Sequence, residues 1–384
     1  MRPAQNGYLI AFADWLACAV AGAREPAARA AQAAGDGLLE RVAAAGAAGH
    51  VLDYDDTYVP GLVHLSAPVA PAALLLAAEI GADVGDTLDA YAAGFEATAA
   101  LARAGHPALY EGGWHPTAVC GGVGAAVAAA RLLGLDEERS RIASALAVLR
   151  AGGLRAAFGS DGKAIQVGMA AAAGVHSARL AAAGATAPLD RIAFGPAGYE
   201  AAFEAPWADP AVDFEAVKEN WIKAYPCCLA THGAIDAAAE LRELGGADGP
   251  VVVVVHPRAR QAAMHDDVAN GLEAKFSIPY VVAYTFMRGR PGLSAFASVD
   301  AEARAFGMRS VQVREDPALG EMEALVEAGG EQVRVARPLG SPGRPLEGDR
   351  LGAKVRELAG TRLDGALDDP RVPARELVVE LYDL

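Results

Sequence analysis

The apolar residues of this chain are mostly small, and this limits the folds that are open to it. Hydrophobic residues make up 53% of the 384 positions, whereas aromatic residues make up only 6%. Much of the apolar content is therefore alanine, which favours helix over strand. Apolar residues recur at helical spacing over 88–101, 121–135 and 164–183, and Asp136 precedes a further helix that runs toward Leu149. We therefore predict a compact helical bundle.

The pattern changes after residue 245. Glycines and a proline interrupt the helical periodicity at 245–250, and Val251–Val255 is a run of five β-branched residues, which indicates a strand. Further strands are predicted at 310–313, 321–326 and 332–335, with a helix at 272–287 and two more helices near the C-terminus.

These patterns predict a mainly α protein with two domains. A large all-helical domain occupies 1–245, and helices from 346–384 pack back on it. A smaller α+β lid domain with an antiparallel sheet occupies 246–345. The connections at 245–250 and 340–345 contain glycine and proline, and we expect the lid to move about them.

Charge and hydropathy exclude several classes of protein. The formal net charge of −15 argues against nucleic acid and anionic membranes as partners. No apolar run approaches the ~20 residues that span a bilayer, and Asp14 interrupts the first apolar segment, which indicates an amphipathic helix rather than a signal peptide. The four cysteines form no CxxC pair, so buried free thiols are expected. We expect a cytoplasmic protein.

The first candidate site is an acidic segment. Asp53, Asp55 and Asp56 lie within four positions and are followed by Thr57 and His64. Carboxylates this close repel one another unless they are solvated or used. A helix-capping turn is one interpretation, and a magnesium or calcium site is another. The segment lacks the glycine and glutamate of an EF-hand, so we expect no metal.

Two further candidates lie at predicted helix starts. Pro116 is favourable in a first helical turn, so His115 is expected just before the N-terminus. The helix dipole there lowers a histidine pKa and keeps the ring neutral, although a capping histidine without chemistry is the alternative. Lys163 opens the alanine-rich helix, where a lysine is unusual, but its segment lacks the spacing of a phosphate loop. From the residues alone, a surface lysine is therefore the default interpretation of Lys163.

Two more segments place a lysine beside aromatic and proline residues. Lys223 opens the segment 223–228, which leads to 231–232, and Tyr280 ends the segment 273–280. Each alone is weak evidence, since such lysines are usually surface charges on turns.

Taken together and in this order, these segments resemble the MmgE/PrpD family. The series comprises 52–57, His64, 94–96, 113–117, 162–163, 223–228 with 231–232, and 273–280. Members of the family include 2-methylcitrate dehydratase, cis-aconitate decarboxylase and an iminodisuccinate epimerase. The resemblance implies a helical domain with an α+β lid, an active site in the cleft between them, a homodimer, and neither metal nor cofactor. It places the site at Asp53, Thr57, His64, His115, Lys163, Lys223 and Tyr280.

Two segments depart from the family pattern. The region 26–49 is shorter than usual, and the stretch between Thr57 and His64 is slightly altered. Both flank the implied site, so the identity of the substrate acid stays open.

The implied reactions share one chemical difficulty, a carbanion or enolate-like species next to a carboxylate. Without metal, fixed donors and cations must stabilise it. We expect His115 to be the principal acid/base and His64 to be a second proton carrier or a binder of a substrate carboxylate. Asp53 and Tyr280 complete the catalytic set. Lys163, Lys223 and Thr57 are assigned to substrate binding, the lysines as partners of substrate carboxylates.

We therefore predict a metal-independent lyase acting on a small hydroxy-polycarboxylate, similar to 2-methylcitrate dehydratase. An epimerase or decarboxylase of a related di- or tricarboxylate is the alternative. A non-catalytic relative that only binds ligand is the second alternative, since a fold does not guarantee a function.

Overall fold

The first part of the chain is a bundle of helices. The structure is a computed structural model that describes residues 3–210, 214–245 and 249–382. Residues 3–210 form α1 (Pro3–Gly22), α2 (Pro26–Ala33), α3 (Leu38–Val51), β1 (Thr57–Tyr58), α4 (Ser66–Ile80), α5 (Val84–Gly105), α6 (Ala108–Glu111), α7 (Pro116–Leu132), α8 (Glu137–Val148), α9 (Gly162–Ala182), α10 (Leu189–Phe194) and α11 (Tyr199–Phe203). The predicted helices of this region are present. Asp136 caps α8, because its side chain accepts a hydrogen bond from the Arg139 amide at 2.9 Å.

The second part combines helices with a sheet. It contains β2 (Asn220–Trp221), α12 (His232–Glu243), β3 (Val251–Val255), α13 (Pro257–Ala262), α14 (Gly271–Ala274), α15 (Ile278–Arg288), α16 (Ala301–Ser310), β4 (Val311–Glu315), β5 (Ala324–Ala328) and β6 (Glu331–Val335). Two helices follow, α17 (Gly348–Ala359) and α18 (Ala374–Tyr382). The predicted mainly α fold with a smaller α+β part is confirmed.

The bundle helices and the two C-terminal helices share one hydrophobic core. Helices α7 and α9 pack against each other at its centre, while α17 packs on α1 and α18 on α4. None of the described helices is by itself long and apolar enough to cross a membrane. One pair, Asn6–Gly22 with Pro26–Ala33, has the length and composition, but its halves meet at 83°.

The sheet of the second part is mixed rather than antiparallel. Its strand order is β4-β3-β5-β6, in which β3 and β4 run parallel and the other neighbouring pairs run antiparallel. Four α-helices, α13 to α16, lie between β3 and β4. A crossover of this length allows a parallel pair, and the short apolar runs in the sequence carry no information about strand direction.

The second core begins earlier than the predicted boundary at residue 245. It contains Tyr225 and the buried face of α12, which packs on β5 and β6. The alanine-rich composition of α12 resembles that of the bundle helices, so composition did not separate them. Residues 246–248 of the predicted connection lie outside the described residues.

The helix predicted over 272–287 is two helices, α14 and α15. The break falls at Ser277, whose hydroxyl caps α15 by accepting a hydrogen bond from the Tyr280 amide at 3.2 Å. Pro279 follows in the first turn, where proline is favoured. The segment therefore contains a helix start inside the predicted helix.

Substituting a glycine at the crossing of α5 and α7 tests the close packing of the bundle. A Cβ at Gly124 would overlap the Thr98 hydroxyl and lie 2.5 Å from the Gly94 carbonyl oxygen. Gly124→Ala is therefore expected to lower the free energy of unfolding by about 1–3 kcal/mol, measured by urea denaturation. The control is Gly152→Ala, since no described atom lies within 4 Å of a Cβ there. Equal stabilities of the two variants would contradict the close crossing.

Candidate active site

A narrow cavity lies where the two cores meet. Its volume is about 60 Å³, and both parts of the chain contribute to its wall. Six of the seven predicted site residues line it: Asp53, Thr57, His64, His115, Lys163 and Lys223. The remaining lining is largely apolar and is formed by Leu62, Tyr110, Phe158, Cys228, Leu229, Ala230, Ala262, Phe276 and Met322.

Asp53 is the centre of the ionic part of the site. Helix α3 ends at Val51, and Asp53 then adopts a left-handed backbone conformation with φ of 52°, which aspartate tolerates better than most residues. Its carboxylate forms ion pairs with Lys163, at the start of α9, and with Lys223, at 3.2 Å. Burial opposes ionisation of this carboxyl, but Lys163 and Lys223 outweigh burial and hold the pKa of Asp53 well below its ordinary value.

Asp55 bridges two histidines. Its Oδ2 atom lies 2.9 Å from His50 Nδ1 and 3.0 Å from His64 Nδ1. Burial lowers the pKa of both histidines, to about 4 for His50, and the attraction of Asp55 offsets this only in part. Both neutral rings therefore donate Nδ1–H to the carboxylate. The Nε2 atom of each ring is left as a proton acceptor.

Asp56 supports the same loop from behind. Its carboxyl accepts hydrogen bonds from the Ser66 amide at 3.1 Å, the Ser66 hydroxyl at 2.9 Å and the Asn220 side chain at 2.7 Å. Burial, together with the neighbouring Asp55 carboxylate, raises the pKa of Asp56 to about 7. Of the three acidic residues, Asp56 thus holds its proton most readily, which limits the charge repulsion that the sequence indicated.

His115 directly precedes α7, as predicted, and its proton position is set by Gln166. The Leu154 amide donates to Gln166 Oε1 at 2.9 Å, so the amide nitrogen of Gln166 faces His115, 2.7 Å from Nδ1. His115 Nδ1 is therefore an acceptor, and the proton of the neutral ring lies on Nε2. Burial lowers the pKa of His115 well below its ordinary value, which keeps this ring neutral.

The two cavity histidines thus have opposite proton arrangements. His64 presents an unprotonated Nε2, and His115 carries its proton on Nε2. His50 packs between them, with its ring centroid 4.5 Å from that of His64 and 5.8 Å from that of His115. Such a pair can take a proton from one atom of a bound molecule and give a proton to another.

Thr57 connects the acidic loop to Lys223. It pairs with Trp221 across β1 and β2, and its hydroxyl lies 3.5 Å from His64 Nδ1.

A lysine ammonium has three N–H donors. Lys163 and Lys223 can therefore donate to an anion in the cavity in addition to their contacts with Asp53.

The structure does not bring Tyr280 into the cavity, contrary to the prediction from the resemblance. Its hydroxyl donates to the Ala295 carbonyl at 2.9 Å and accepts from the Asp300 amide at 3.1 Å, inside the second core. The reason is local: α15 begins at Ile278 and packs Tyr280 inward. The same segment lines the cavity with Phe276 instead.

One group of described side chains has the composition of a metal site. The ligand atoms of His50, Asp55 and His64 lie within 4.8 Å of one another. The same three side chains are already joined by the two hydrogen bonds to Asp55 described above, and these hydrogen bonds account for the short distances. The expected absence of a metal therefore stays a prediction.

Three residues of this network were not predicted from the sequence: His50, Asp55 as a bridge, and Gln166. The available signal for Gln166 was its spacing, because it lies three residues after Lys163 on α9 and so shares a helix face with it. No sequence pattern indicated that Asp55 would point toward two histidines rather than toward solvent.

Two family descriptions match most of the chain. The descriptions of the MmgE/PrpD N-terminal domain and the MmgE/PrpD C-terminal domain match residues 40–208 and 225–371. The chain therefore belongs to the MmgE/PrpD family, and the resemblance found in the motif series is confirmed.

Several similar proteins are cis-aconitate decarboxylases. The protein of Homo sapiens is 32% identical over 213 residues, which cover 52% of this chain and 43% of that protein. The protein of Aspergillus terreus is 26% identical over 358 residues, which cover 81% of this chain and 72% of that protein. The match thus spans less than half the length of the human relative.

The proton positions are testable without a substrate. Nitrogen NMR of the ligand-free protein should show His64 protonated at Nδ1 and His115 at Nε2. Gln166→Glu replaces the donor facing His115 with an acceptor, so the proton of His115 should move to Nδ1. His232, buried beside Tyr225 of the second core, is the control and should not change. An unchanged His115 in the glutamate variant would show that Gln166 does not set its tautomer.

Proposed function

We propose that this protein is a metal-independent lyase that acts on a small polycarboxylate by proton transfer next to a carboxylate. The observation that supports it best is the pairing of His64 and His115, with opposite proton arrangements, with Lys163 and Lys223 around one cavity. Imidazoles act as acid and base near neutral pH. Ammonium groups bind carboxylates and stabilise the charge that develops in the transition state.

Dehydration of a hydroxy-polycarboxylate would use all four groups. His64 Nε2 takes the proton from the carbon next to a carboxylate, and the electron pair spreads into that carboxylate, where the lysines stabilise it. His115 Nε2–H gives its proton to the leaving hydroxyl. The C–O bond breaks, water leaves, and a carbon–carbon double bond forms. An elimination of this kind needs one proton acceptor and one proton donor, which is the arrangement of these two rings.

Decarboxylation is the second candidate, and the relatives named cis-aconitate decarboxylase favour it. In this reaction the bond to a carboxylate breaks, carbon dioxide leaves, and the electron pair stays on the substrate carbon. His115 Nε2–H then protonates a carbon of the resulting carbanion. His64 need not take a proton in this reaction, so its role would be to hold a substrate carboxylate.

Incubation with a panel of acids separates these candidates. Citrate-like, aconitate-like and aspartate-derived acids are supplied to protein that has been treated with chelator, and the products are read by mass spectrometry. Loss of water identifies a dehydratase and loss of carbon dioxide a decarboxylase, while an epimerase exchanges a substrate hydrogen with solvent and loses neither. Activity that disappears in chelator and returns with magnesium or iron would sink the metal-independent proposal.

Proton uptake on binding follows from the charges of the site. Two ammonium groups face two ionised carboxylates, Asp53 and Asp55, so an arriving polycarboxylate brings excess negative charge to neutral histidines. A nearby anion raises a histidine pKa. Binding of an unreactive polycarboxylate near pH 7 is therefore expected to take up as much as about one proton per site. Calorimetry in buffers of different ionisation enthalpy measures this uptake. A net release of protons would contradict the proposed environment of His64 and His115.

Kinetic variants separate proton transfer from binding. His115→Gln removes the titrating group and should lower kcat by ~10²–10⁴, with KM little changed. Lys223→Met removes a charged donor worth roughly 1.5–3 kcal/mol, so substrate affinity should fall by about one to two powers of ten. Lys218→Met is the matched control, because this nearby lysine is 65% exposed and pairs with Glu215. Near-normal turnover in His115→Gln would make His64 the next candidate for the acid/base.

A further inference from the structure

Three consecutive backbone carbonyls after α3 each accept a hydrogen bond from a different lysine. Lys275 Nζ donates to Leu52 O at 2.6 Å and Lys223 Nζ to Asp53 O at 2.7 Å. Lys354 Nζ donates to Tyr54 O at 2.7 Å. We call this set, Lys223, Lys275 and Lys354 on the carbonyls of 52–54, the lysine clamp.

The clamp joins distant parts of the chain. Lys223 follows β2, Lys275 follows α14 in the second part, and Lys354 lies on the C-terminal helix α17. All three side chains are buried. A buried ammonium group is costly unless it is paired, so three of them at one short turn require an explanation beyond solubility.

Each lysine of the clamp has a second partner. Lys223 also reaches the Asp53 carboxylate, and Lys275 also donates to the Pro226 carbonyl at 3.0 Å. Lys354 lies 2.6 Å from Asp14 Oδ1, on α1. The turn is thereby attached to the bundle, to the loop after β2 and to the second core.

The turn needs such support because its backbone is unusual. The carbonyls at a helix end lack helical partners and must be satisfied elsewhere when they are buried. Asp53 also has a positive φ, a backbone conformation that few residues other than glycine adopt. In this conformation the Asp53 carboxylate pairs with Lys163, and Asp55, two residues on, reaches the two histidines.

We propose that Lys275 and Lys354 are positioning residues of the active site. Neither lines the cavity. They act through the turn: by holding Leu52 and Tyr54 they set the place of Asp53 and Asp55. The catalytic part of this proposal rests on the proposed function. The effect of Lys275 and Lys354 on the turn does not depend on it.

Asp14 provides a matched comparison. Lys354→Met alone would leave a buried carboxylate unpaired, and that variant could fail to fold. Asp14→Asn removes the ion pair but keeps the hydrogen bond from Lys354 to the Tyr54 carbonyl. The double variant Asp14→Asn/Lys354→Met removes both the ion pair and this hydrogen bond. Only the double variant should disturb the turn. Lys275→Met is an independent variant that leaves no acid unpaired, since both partners of Lys275 are carbonyls.

The first readout is hydrogen exchange of the segment 50–58 in the ligand-free protein. The double variant and Lys275→Met should exchange at least about tenfold faster there than Asp14→Asn. Arg242→Met is the control for loss of a charged donor to a carbonyl elsewhere, because Arg242 Nε donates to Phe286 O at 2.9 Å. It should leave this segment unchanged. Equal exchange in all four variants would overturn the clamp.

The second readout is turnover and its pH profile on the acid identified by the screen. The double variant and Lys275→Met should lose about 10–100-fold in kcat with a shifted pH profile, as expected when catalytic groups are misplaced. Asp14→Asn and Arg242→Met should keep both. If faster exchange in 50–58 leaves kcat and the profile unchanged, the positioning role is wrong. If the wild-type protein is inactive on every acid, the proposed function is wrong. The hydrogen-exchange comparison of segment 50–58 still tests whether the lysine clamp holds the turn.

Discussion

The site depends on one buried interaction, the Asp53 carboxylate between Lys163 and Lys223. An isolated charge in a protein interior is so costly that it would neutralise instead, so each of these groups requires the others. The interaction joins the segments after α3 and after β2 to the start of α9, at the cavity where the two cores meet. Removal of either ammonium group would therefore alter stability as well as substrate binding. The exposed Lys218 is the kinetic control because its removal leaves this buried interaction intact.

Around this ionic centre the polar partners determine where protons reside. A carboxylate next to one imidazole and an amide nitrogen next to another give two neutral rings with opposite tautomers. Burial is the main reason that the pKa values of His64 and His115 are lowered. An anionic substrate would raise both pKa values and bring them closer to the range in which imidazole transfers protons efficiently.

Much of this architecture could be predicted from local sequence signals. Alanine content indicated the bundle, the valine run indicated β3, and Pro116 located His115 before a helix. The failures were of another kind. Tyr280 and Lys275 belong to one motif, yet a helix start at Ile278 turns the tyrosine into the second core. The roles of Asp55 and Gln166, and the parallel pairing of β3 with β4, depend on contacts between segments far apart in the chain, which local patterns do not encode.

The central claim is proton transfer at a carbon next to a carboxylate, carried out by imidazole without metal. Its most direct test is the reaction in deuterated water with chelator-treated protein, with deuterium located by NMR. Decarboxylation and epimerisation are read in the product, and a dehydration is read in reverse, as addition of water to the isolated unsaturated acid, because the forward elimination removes a proton from carbon and adds none. The account predicts deuterium at carbon next to a carboxylate, and its loss in His115→Gln or His64→Gln. Decarboxylation, epimerisation or hydration that places no deuterium on carbon, or incorporation that persists in both variants, would contradict it.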